Sequence, residues 1–114
     1  MALMINRGRE ILRINPQKNS IECSTDGGRN WYTRCVSSSA GTFYDLLDYG
    51  QEILACTSKG IYLSRDDGRN WYSRYTGSSC GTFQQLMNEG GQLLATTSKG
   101  LYYSRDDGRN WYRR

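Results

Sequence analysis

The stretch Ser64-Arg-Asp-Asp-Gly-Arg-Asn-Trp-Tyr-Ser-Arg74 decides the fold, because closely similar stretches stand before and after it at one spacing. They occupy residues 24–34 and 104–114, so the tryptophans fall 40 residues apart, at 31, 71 and 111. Comparing residues 50–74 with residues 90–114 gives 18 identities in 25 positions. The chain is therefore built from three copies of one structural unit.

The second copy reads as four short strands separated by turn residues. Its apolar segments alternate with polar residues or run for only a few positions, which is typical of strands. A helix needs apolar spacing over about 10 to 12 residues, and the glycines at 41, 50, 60 and 68 interrupt the copy too often for that. The predicted strands are Phe43-Tyr-Asp-Leu-Leu47, Ile53-Leu-Ala-Cys-Thr57, Ile61-Tyr-Leu-Ser64 and Trp71-Tyr-Ser-Arg74.

The other two copies give the same order of strands. In the third they are Thr82-Phe-Gln-Gln-Leu-Met87, Leu93-Leu-Ala-Thr-Thr97, Leu101-Tyr-Tyr-Ser104 and Asn110-Trp-Tyr-Arg113; in the first, Leu3-Met-Ile5, Glu10-Ile-Leu-Arg-Ile14, Ser20-Ile-Glu-Cys23 and Asn30-Trp-Tyr-Thr33. The first copy has two additional residues near Pro16, in a hairpin where the missing N–H costs no ladder bond. We expect an all-β, single-domain chain of three four-stranded β-propeller blades, with blade one at 1–36, blade two at 41–76 and blade three at 81–114.

The repeated pattern Ser-x-Asp-x-Gly-x-Asn-Trp resembles the Asp-box, or BNR, repeat, whose usual form is Ser-x-Asp-x-Gly-x-Thr-Trp. Sialidases, sortilin-type receptors and photosystem assembly factors carry this repeat, and in them it forms the hairpin between the third and fourth strands of a blade. The present sequence departs from the pattern at Asn30, Asn70 and Asn110, where Thr or Ser is usual. The resemblance implies a structural role for Ser24, Asp26, Gly28, Trp31, Ser64, Asp66, Gly68, Trp71, Ser104, Asp106, Gly108 and Trp111.

Elementary chemistry supports that structural role. An aspartate can accept hydrogen bonds from the N–H groups of its own turn, the glycine can adopt positive φ, and the tryptophan can cover the turn. A catalytic aspartate would need a second carboxylate or a base nearby. We therefore interpret the box aspartates and tryptophans as folding devices, ahead of catalysis or ligand stacking.

Three blades do not close a propeller, since rings of this kind hold about four to eight blades. An arc of three would leave two apolar sheet faces in water. Two copies arranged head to tail give six blades, whereas three copies give nine, which lies outside the common range. We expect a six-bladed homodimer. If residues 1–6 are disordered, the alternative is a strand-swapped assembly or an open ring.

Composition narrows the classes of function. The formal charge is +4 and basic residues are interleaved with aspartates, which disfavours a nucleic-acid partner. There is no histidine and no CxxC pair, so we expect no metal and no cofactor. The cysteines at 23, 35, 56 and 80 are interpreted as small buried side chains, with a Cys35–Cys80 disulfide left open. No long apolar run or export signal is seen, and we expect a cytoplasmic protein without a membrane partner.

Function is predicted to be non-enzymatic binding, because ordinary hydrolase and nucleotide motifs are absent from the sequence. We expect the partner to be a small ligand or a protein. The alternative function is that of a glycan-binding lectin, and a sialidase-like glycosidase or a nucleic-acid binder is less favoured. Residues that vary between copies near the predicted inner strands are the candidate contacts, although they suit a wet channel or plain packing equally well. These candidates are Tyr44, Asp45, Asp48, Gln84, Gln85, Asn88 and Glu89. A lectin would also use ring faces and donors that recur between the copies, and the candidates of this second kind are Tyr62, Tyr102, Arg65 and Arg105.

Overall fold

Three four-stranded antiparallel sheets follow one another along the chain, and the computed structural model describes residues 4–36 and 39–114. Sheet one contains β1 (Met4–Arg7), β2 (Glu10–Asn15), β3 (Ser20–Ser24) and β4 (Tyr32–Val36). Sheet two contains β5 (Phe43–Tyr49), β6 (Glu52–Thr57), β7 (Gly60–Ser64) and β8 (Tyr72–Tyr75). Sheet three contains β9 (Phe83–Glu89), β10 (Gln92–Thr97), β11 (Gly100–Ser104) and β12 (Tyr112–Arg113). The prediction of an all-β chain with four strands per repeat is confirmed.

Strand boundaries differ from the sequence pattern at two places. The pattern begins the first strand at Leu3, which lies outside the described residues. The pattern also includes the tryptophan of each repeat in the fourth strand, and this is wrong, because β4, β8 and β12 start one residue after it. The indole belongs to the preceding turn: Trp71 Nε1 donates to the Gly68 carbonyl at 3.0 Å, which holds the residue out of the ladder.

The strands β1, β5 and β9, called the inner strands here, lie next to one another. β1 packs against β5, and β5 packs against β9. Each is the first strand of its sheet and pairs on one side only, with β2, β6 and β10 respectively. Successive sheets are therefore stacked face to face around a common inner edge, which is the arrangement of neighbouring propeller blades.

Two apolar cores fill the spaces between the sheets. The first joins Leu12 and Ile21 of sheet one to Phe43 and Ile53 of sheet two. The second joins the opposite face of sheet two to sheet three, for example through Leu54, which is fully buried. Sheet two is thus covered on both faces. Sheets one and three each keep a face against which no other sheet of the described residues packs, and there Met4 is 56% exposed and Leu101 is 37% exposed.

Recurring arginines tie consecutive sheets together at contacts that we call seams. At the first seam, between sheets one and two, Arg34 makes a two-pronged ion pair with Glu10 at 2.8 and 2.9 Å. The same guanidinium donates to the backbone carbonyl of Asp67 in the next sheet at 3.1 Å. At the second seam Arg74 repeats this with Glu52, at 2.9 and 3.1 Å, and with the Asp107 carbonyl at 3.0 Å.

The four cysteines are free thiols in the structure. Cys23, Cys56 and Cys80 are buried, and Cys35 is half-buried against the first core. Burial raises the pKa of the Cys56 thiol well above its ordinary value, so this group stays protonated at neutral pH. The interpretation as small buried side chains describes three of the four positions, Cys35 being half-buried, and the Cys35–Cys80 disulfide is not formed.

Candidate functional site

The Asp-box turn of sheet one is closed by a dense set of hydrogen bonds. Ser24 Oγ donates to Asp26 Oδ1 and accepts from the N–H of Gly28, both at 2.8 Å. Asp26 Oδ1 also accepts from the backbone N–H groups of Arg29 and Asn30, at 3.0 and 2.8 Å. The second carboxylate oxygen accepts from Asn30 Nδ2 at 2.7 Å. Both oxygens of the carboxylate are therefore engaged within the turn.

The other two boxes repeat this network except at the arginine, whose backbone N–H donates there to the backbone carbonyl of the aspartate, at 3.4 and 3.3 Å. Asp66 Oδ2 accepts from Asn70 Nδ2 and Asp106 Oδ2 from Asn110 Nδ2, both at 2.6 Å. The asparagine that departs from the usual motif thus supplies a side-chain donor to the aspartate in all three turns. Equivalent serine and glycine bonds are present at Ser64 and Gly68 (2.8 Å) and at Ser104 and Gly108 (2.9 Å).

These hydrogen bonds stabilise the charged form of the carboxylates. The backbone N–H of Asn30, followed by its side-chain amide, lowers the pKa of Asp26 to about 2. The Asn110 side chain and backbone likewise lower the pKa of Asp106 to about 2. At Asp66 burial acts in the opposite direction, but the bonds from Asn70 outweigh it and the pKa is lowered. Carboxylates held ionised in this way are poor proton donors at neutral pH.

The box tryptophans pack over their own turns, and two of the three also pack against the cores. Trp71 meets Phe43 edge-on, with ring centroids 5.3 Å apart, and Trp111 meets Phe83 at 5.2 Å. Trp31 lies on the open face of sheet one and is covered by the guanidinium of Arg13, 3.9 Å from the ring centroid. The rings stabilise the turns and the cores. The carboxylates and indoles of the boxes thus already have partners within the fold.

A cavity of about 720 Å³ opens where the inner strands β5 and β9 begin. Three candidate contacts, Tyr44, Gln84 and Gln85, line it. Gln84 is exposed, and Tyr44 and Gln85 are half-buried. The remaining lining residues were not singled out by the sequence pattern: Pro16, Phe43, Thr82, Thr96 and Ser98. All eight side chains are uncharged.

The other candidates that follow the inner strands lie at the opposite end, where β5 and β9 finish. Asp48 accepts a hydrogen bond from Arg7 Nη1 at 2.6 Å. Together with Asp67 these residues border a second, polar depression of about 440 Å³ at the first seam. Asn88 and Glu89 are exposed at the end of β9. The predicted set is therefore divided between two ends of the molecule.

Three further candidates are buried and serve the packing of sheets. Asp45 is fully buried, and its Oδ2 accepts the backbone N–H of Leu86 across the second seam at 2.8 Å. Tyr62 and Tyr102 are each 8% exposed and belong to the two cores. The structure thus gives Asp45 an intersheet role and places it away from a channel surface.

The two arginine candidates are exposed and lie outside the cavity. Arg65 Nε donates to Glu52 at 3.3 Å. The guanidinium of Arg105 lies 5.4 Å from the Tyr103 ring centroid, on the open side of sheet three. Neither converges with Tyr44 and Gln84.

Sequence reasoning missed part of the cavity and the residues that meet each other across the seams. Pro16 reaches the cavity because the longer β2–β3 hairpin of sheet one brings it there, and the two additional residues were the available signal. Asp67, the second acid of its box, contacts sheet one at the first seam. In the sequence this role shows only as a difference between the boxes, because the first box has Gly27 at the same position.

Within residues 4–36 and 39–114, no group of three or more cysteine and carboxylate side chains is placed to bind a metal ion. The same part of the chain contains no helix that is long and apolar enough to cross a membrane.

A family model described as BNR/Asp-box repeat matches residues 102–113. This confirms the resemblance inferred from the three repeated boxes. Among curated proteins, none matches the chain significantly.

Solved structures similar to this chain support the propeller architecture. A structure of YCF48 bound to D1 peptide superposes with a TM-score of 0.73 at 19% identity over 97% of this chain. YCF48 from Cyanidioschyzon merolae gives 0.69 at 22% identity over 93% of the chain. The GH74 enzyme of Niastella koreensis gives 0.62 at 19% identity, also over 93%. The chain spans only 39%, 38% and 16% of the lengths of these proteins. It is a β-propeller module.

Proposed function

We propose that the protein is a non-enzymatic binding module, in which two copies close a six-bladed ring and hold a small, uncharged polar ligand at the mouth of the central channel. The observation that carries the proposal is the cavity of about 720 Å³ with its uncharged lining at the start of the inner strands. Aromatic and amide side chains at one concave position are the usual elements of a small-molecule site.

The open faces of the outer sheets support closure by a second copy. Sheet one presents Met4 and Trp31, and sheet three presents Leu101 and Tyr103, on faces that nothing within residues 4–36 and 39–114 covers. Both faces of sheet two are buried in cores by neighbouring sheets. We expect the open faces of the outer sheets to be buried in the same way. Two chains supply six blades, which is within the range that closes.

The chemistry of the cavity supports binding over catalysis. Glycosidic hydrolysis uses two carboxylates on either side of the bond that breaks. The cavity lining contains none, and the box carboxylates are held ionised within their own turns. Hydrolysis of a fluorogenic sialoside in proportion to protein concentration would contradict this part of the proposal.

A glycan is the second candidate ligand, favoured by one feature of the lining. Tyr44 offers a ring face, and Gln84 and Gln85 offer amide donors and acceptors, a combination that matches the apolar faces and hydroxyl groups of sugars. Short peptides form a third probe class, because one structural neighbour is a YCF48 protein bound to a peptide.

Nuclear magnetic resonance on the ¹⁵N-labelled protein tests the site. We would titrate it with simple monosaccharides, short peptides and a library of small uncharged fragments. Saturable shifts should centre on residues 43–44, 82–85 and 96–98, and Gln84→Ala should abolish them. Gln51→Ala, in the exposed β5–β6 turn, is the matched control and should leave them unchanged. Shifts centred elsewhere, or none across all three probe classes, would refute the cavity as the site.

A further inference from the structure

The last residue of β1 and the last residue of β5 each reach toward the Asp-box turn of the following sheet. At the first seam Arg7 Nη2 donates to Asp67 Oδ1 at 3.0 Å. At the second seam Tyr49 Oη donates to Asp107 Oδ1 at 2.6 Å. Burial and the hydrogen bond to Asp107 raise the pKa of Tyr49 to about 12, so the phenol remains a donor at neutral pH. Both seams thus pair a donor with the second acid of a box.

Glu89 occupies the same place in sheet three. The hairpin pairs are Arg7 with Glu10, Tyr49 with Glu52 and Glu89 with Gln92, so the three residues share one register position. Glu89 is exposed, and a glutamate at neutral pH offers an acceptor where the other two sheets offer a donor. A box acid opposite Glu89 would bring two carboxylates together.

The first box lacks that acid. Gly27 stands where Asp67 and Asp107 stand in the other boxes, and all three residues have positive φ, at 75°, 59° and 64°. The first turn is also less covered than the others, because Gly28 is half-buried whereas its counterparts Gly68 and Gly108 are buried by the preceding sheet. Sheet one therefore presents an uncovered turn with no carboxylate at the position that a preceding sheet contacts.

Arg114 is a second residue of sheet three whose counterparts make contacts at the internal seams. It corresponds to Arg34 and Arg74, which each donate to the backbone carbonyl of the residue at the Asp67 position. Arg114 Nη1 donates to the neutral Gln92 Oε1 at 3.3 Å, where the other two arginines are paired with glutamates. Gln92 therefore does not balance the positive charge of Arg114, as Glu10 and Glu52 balance the charges of the other two arginines. The exposed carboxylate at this edge of sheet three belongs to Glu89.

We propose that Glu89 of one copy and Gly27 of the second are a matched pair, which directs sheet three of the first copy onto sheet one of the second. This contact is called the closing seam, and the proposal rests on the two-copy ring. Arg114 donates to the Gly27 carbonyl of the second copy, as Arg34 and Arg74 do at the internal seams. The Asp67 and Asp107 boxes are already covered by the preceding sheet of their own chain, so the first box is the one of the three that is left open to Glu89 of a second copy. Because Gly27 carries no carboxylate, Glu89 meets no like charge there.

Sedimentation velocity on the 114-residue protein tests the pair through the dissociation constant of the dimer. Gly27→Asp places a carboxylate opposite Glu89, and the turn accepts it, since Asp67 and Asp107 hold the same conformation and no atom lies within 4 Å of a Cβ at Gly27. We expect weakening of about tenfold per seam, and so about a hundredfold for the two seams of a dimer, because like charges face each other. Gly27→Asn is the uncharged control and should weaken the dimer by less than about threefold.

Rescue separates charge from a general disturbance of the turn. Gly27→Asp combined with Glu89→Arg recreates the Arg7–Asp67 pair and should return the dissociation constant to near the unsubstituted value. Mixing the Gly27→Asp chain with the Glu89→Arg chain should likewise give a heterodimer, since each of its seams is then compatible.

The two proposals fail in different ways. Equal weakening by Gly27→Asp and Gly27→Asn, or no rescue by Glu89→Arg, overturns the matched pair while a dimeric unsubstituted protein keeps the ring. An unsubstituted protein that stays monomeric overturns the ring itself.

Discussion

At the scale of single residues, the asparagine of the Asp box changes what the motif does. In a box with Thr or Ser, a hydroxyl stands at this position; here Nδ2 of Asn30, Asn70 and Asn110 donates to the aspartate at 2.6 to 2.7 Å. An amide donor holds the second carboxylate oxygen while backbone N–H groups hold the first. The result is a turn whose stability depends on an ionised aspartate.

Acid should therefore weaken these turns in a defined pH window. The folded pKa of Asp26 and Asp106 is about 2, below the value of about 3.9 for an unfolded aspartate. A lowered folded pKa means that the unfolded chain binds protons first, so the contribution is complete above the unfolded pKa and is lost as pH falls through the folded one. We expect the free energy of unfolding to fall between about pH 5 and pH 2.

Urea denaturation across this range checks the effect, with the triple variant Asn30→Ala, Asn70→Ala and Asn110→Ala as the comparison. Without the amide donors the folded pKa values should move toward their ordinary range, and the acid-dependent loss should become shallower. Parallel pH profiles for the two proteins would show that the asparagines do not set the carboxylate pKa values.

The sequence pattern predicted the box residues but could not predict the position of Asp45. Spacing alone is enough to place serine, aspartate, glycine and tryptophan in a turn. Asp45 follows an irregularity in the β5–β6 register between Phe43 and Asp45, and a bulge of this kind shifts the side chains that follow to the other face. Its carboxylate consequently faces the seam, where it accepts the Leu86 N–H, instead of the channel.

At the scale of elements, the arginine at the fourth strand connects one sheet to the next. The side chain of Arg74 is 4% exposed, forms an ion pair with Glu52 and donates to the Asp107 carbonyl. An arginine recurs three residues after each box tryptophan, at 34, 74 and 114, and a repeated position of this kind favours edge packing or salt bridging. Its reach to the next box could not be predicted, because it depends on how far two sheets lie from each other and not on the order of residues within one.

Arg74→Ala should be strongly destabilising, by about 3 kcal/mol, because it leaves Glu52 and a carbonyl without their buried donor. Arg74→Lys should recover only part of the loss, since an ammonium cannot match the two-pronged geometry. Arg109→Ala is the control: that side chain is 55% exposed, and its ion pair with Asp107 is worth less than about 1 kcal/mol. Chemical denaturation measures all three, and similar losses for Arg74→Ala and Arg109→Ala would contradict the seam role.

At the scale of the whole molecule, three stacked sheets account for the uncovered faces at both ends. The described residues span 40 × 29 × 20 Å, with two cores inside and apolar side chains such as Met4 and Leu101 on the outer sheets. The repeat period was sufficient to predict three blades. The proposed pairing of Glu89 with Gly27 could not be predicted from the repeat, because it rests on a comparison of the internal seams with each other.

Light scattering coupled to size exclusion tests the two-copy ring most directly. Across micromolar concentrations the account expects a single species of about twice the 13.1 kDa chain mass. A well-folded species at 13.1 kDa throughout that range would contradict it.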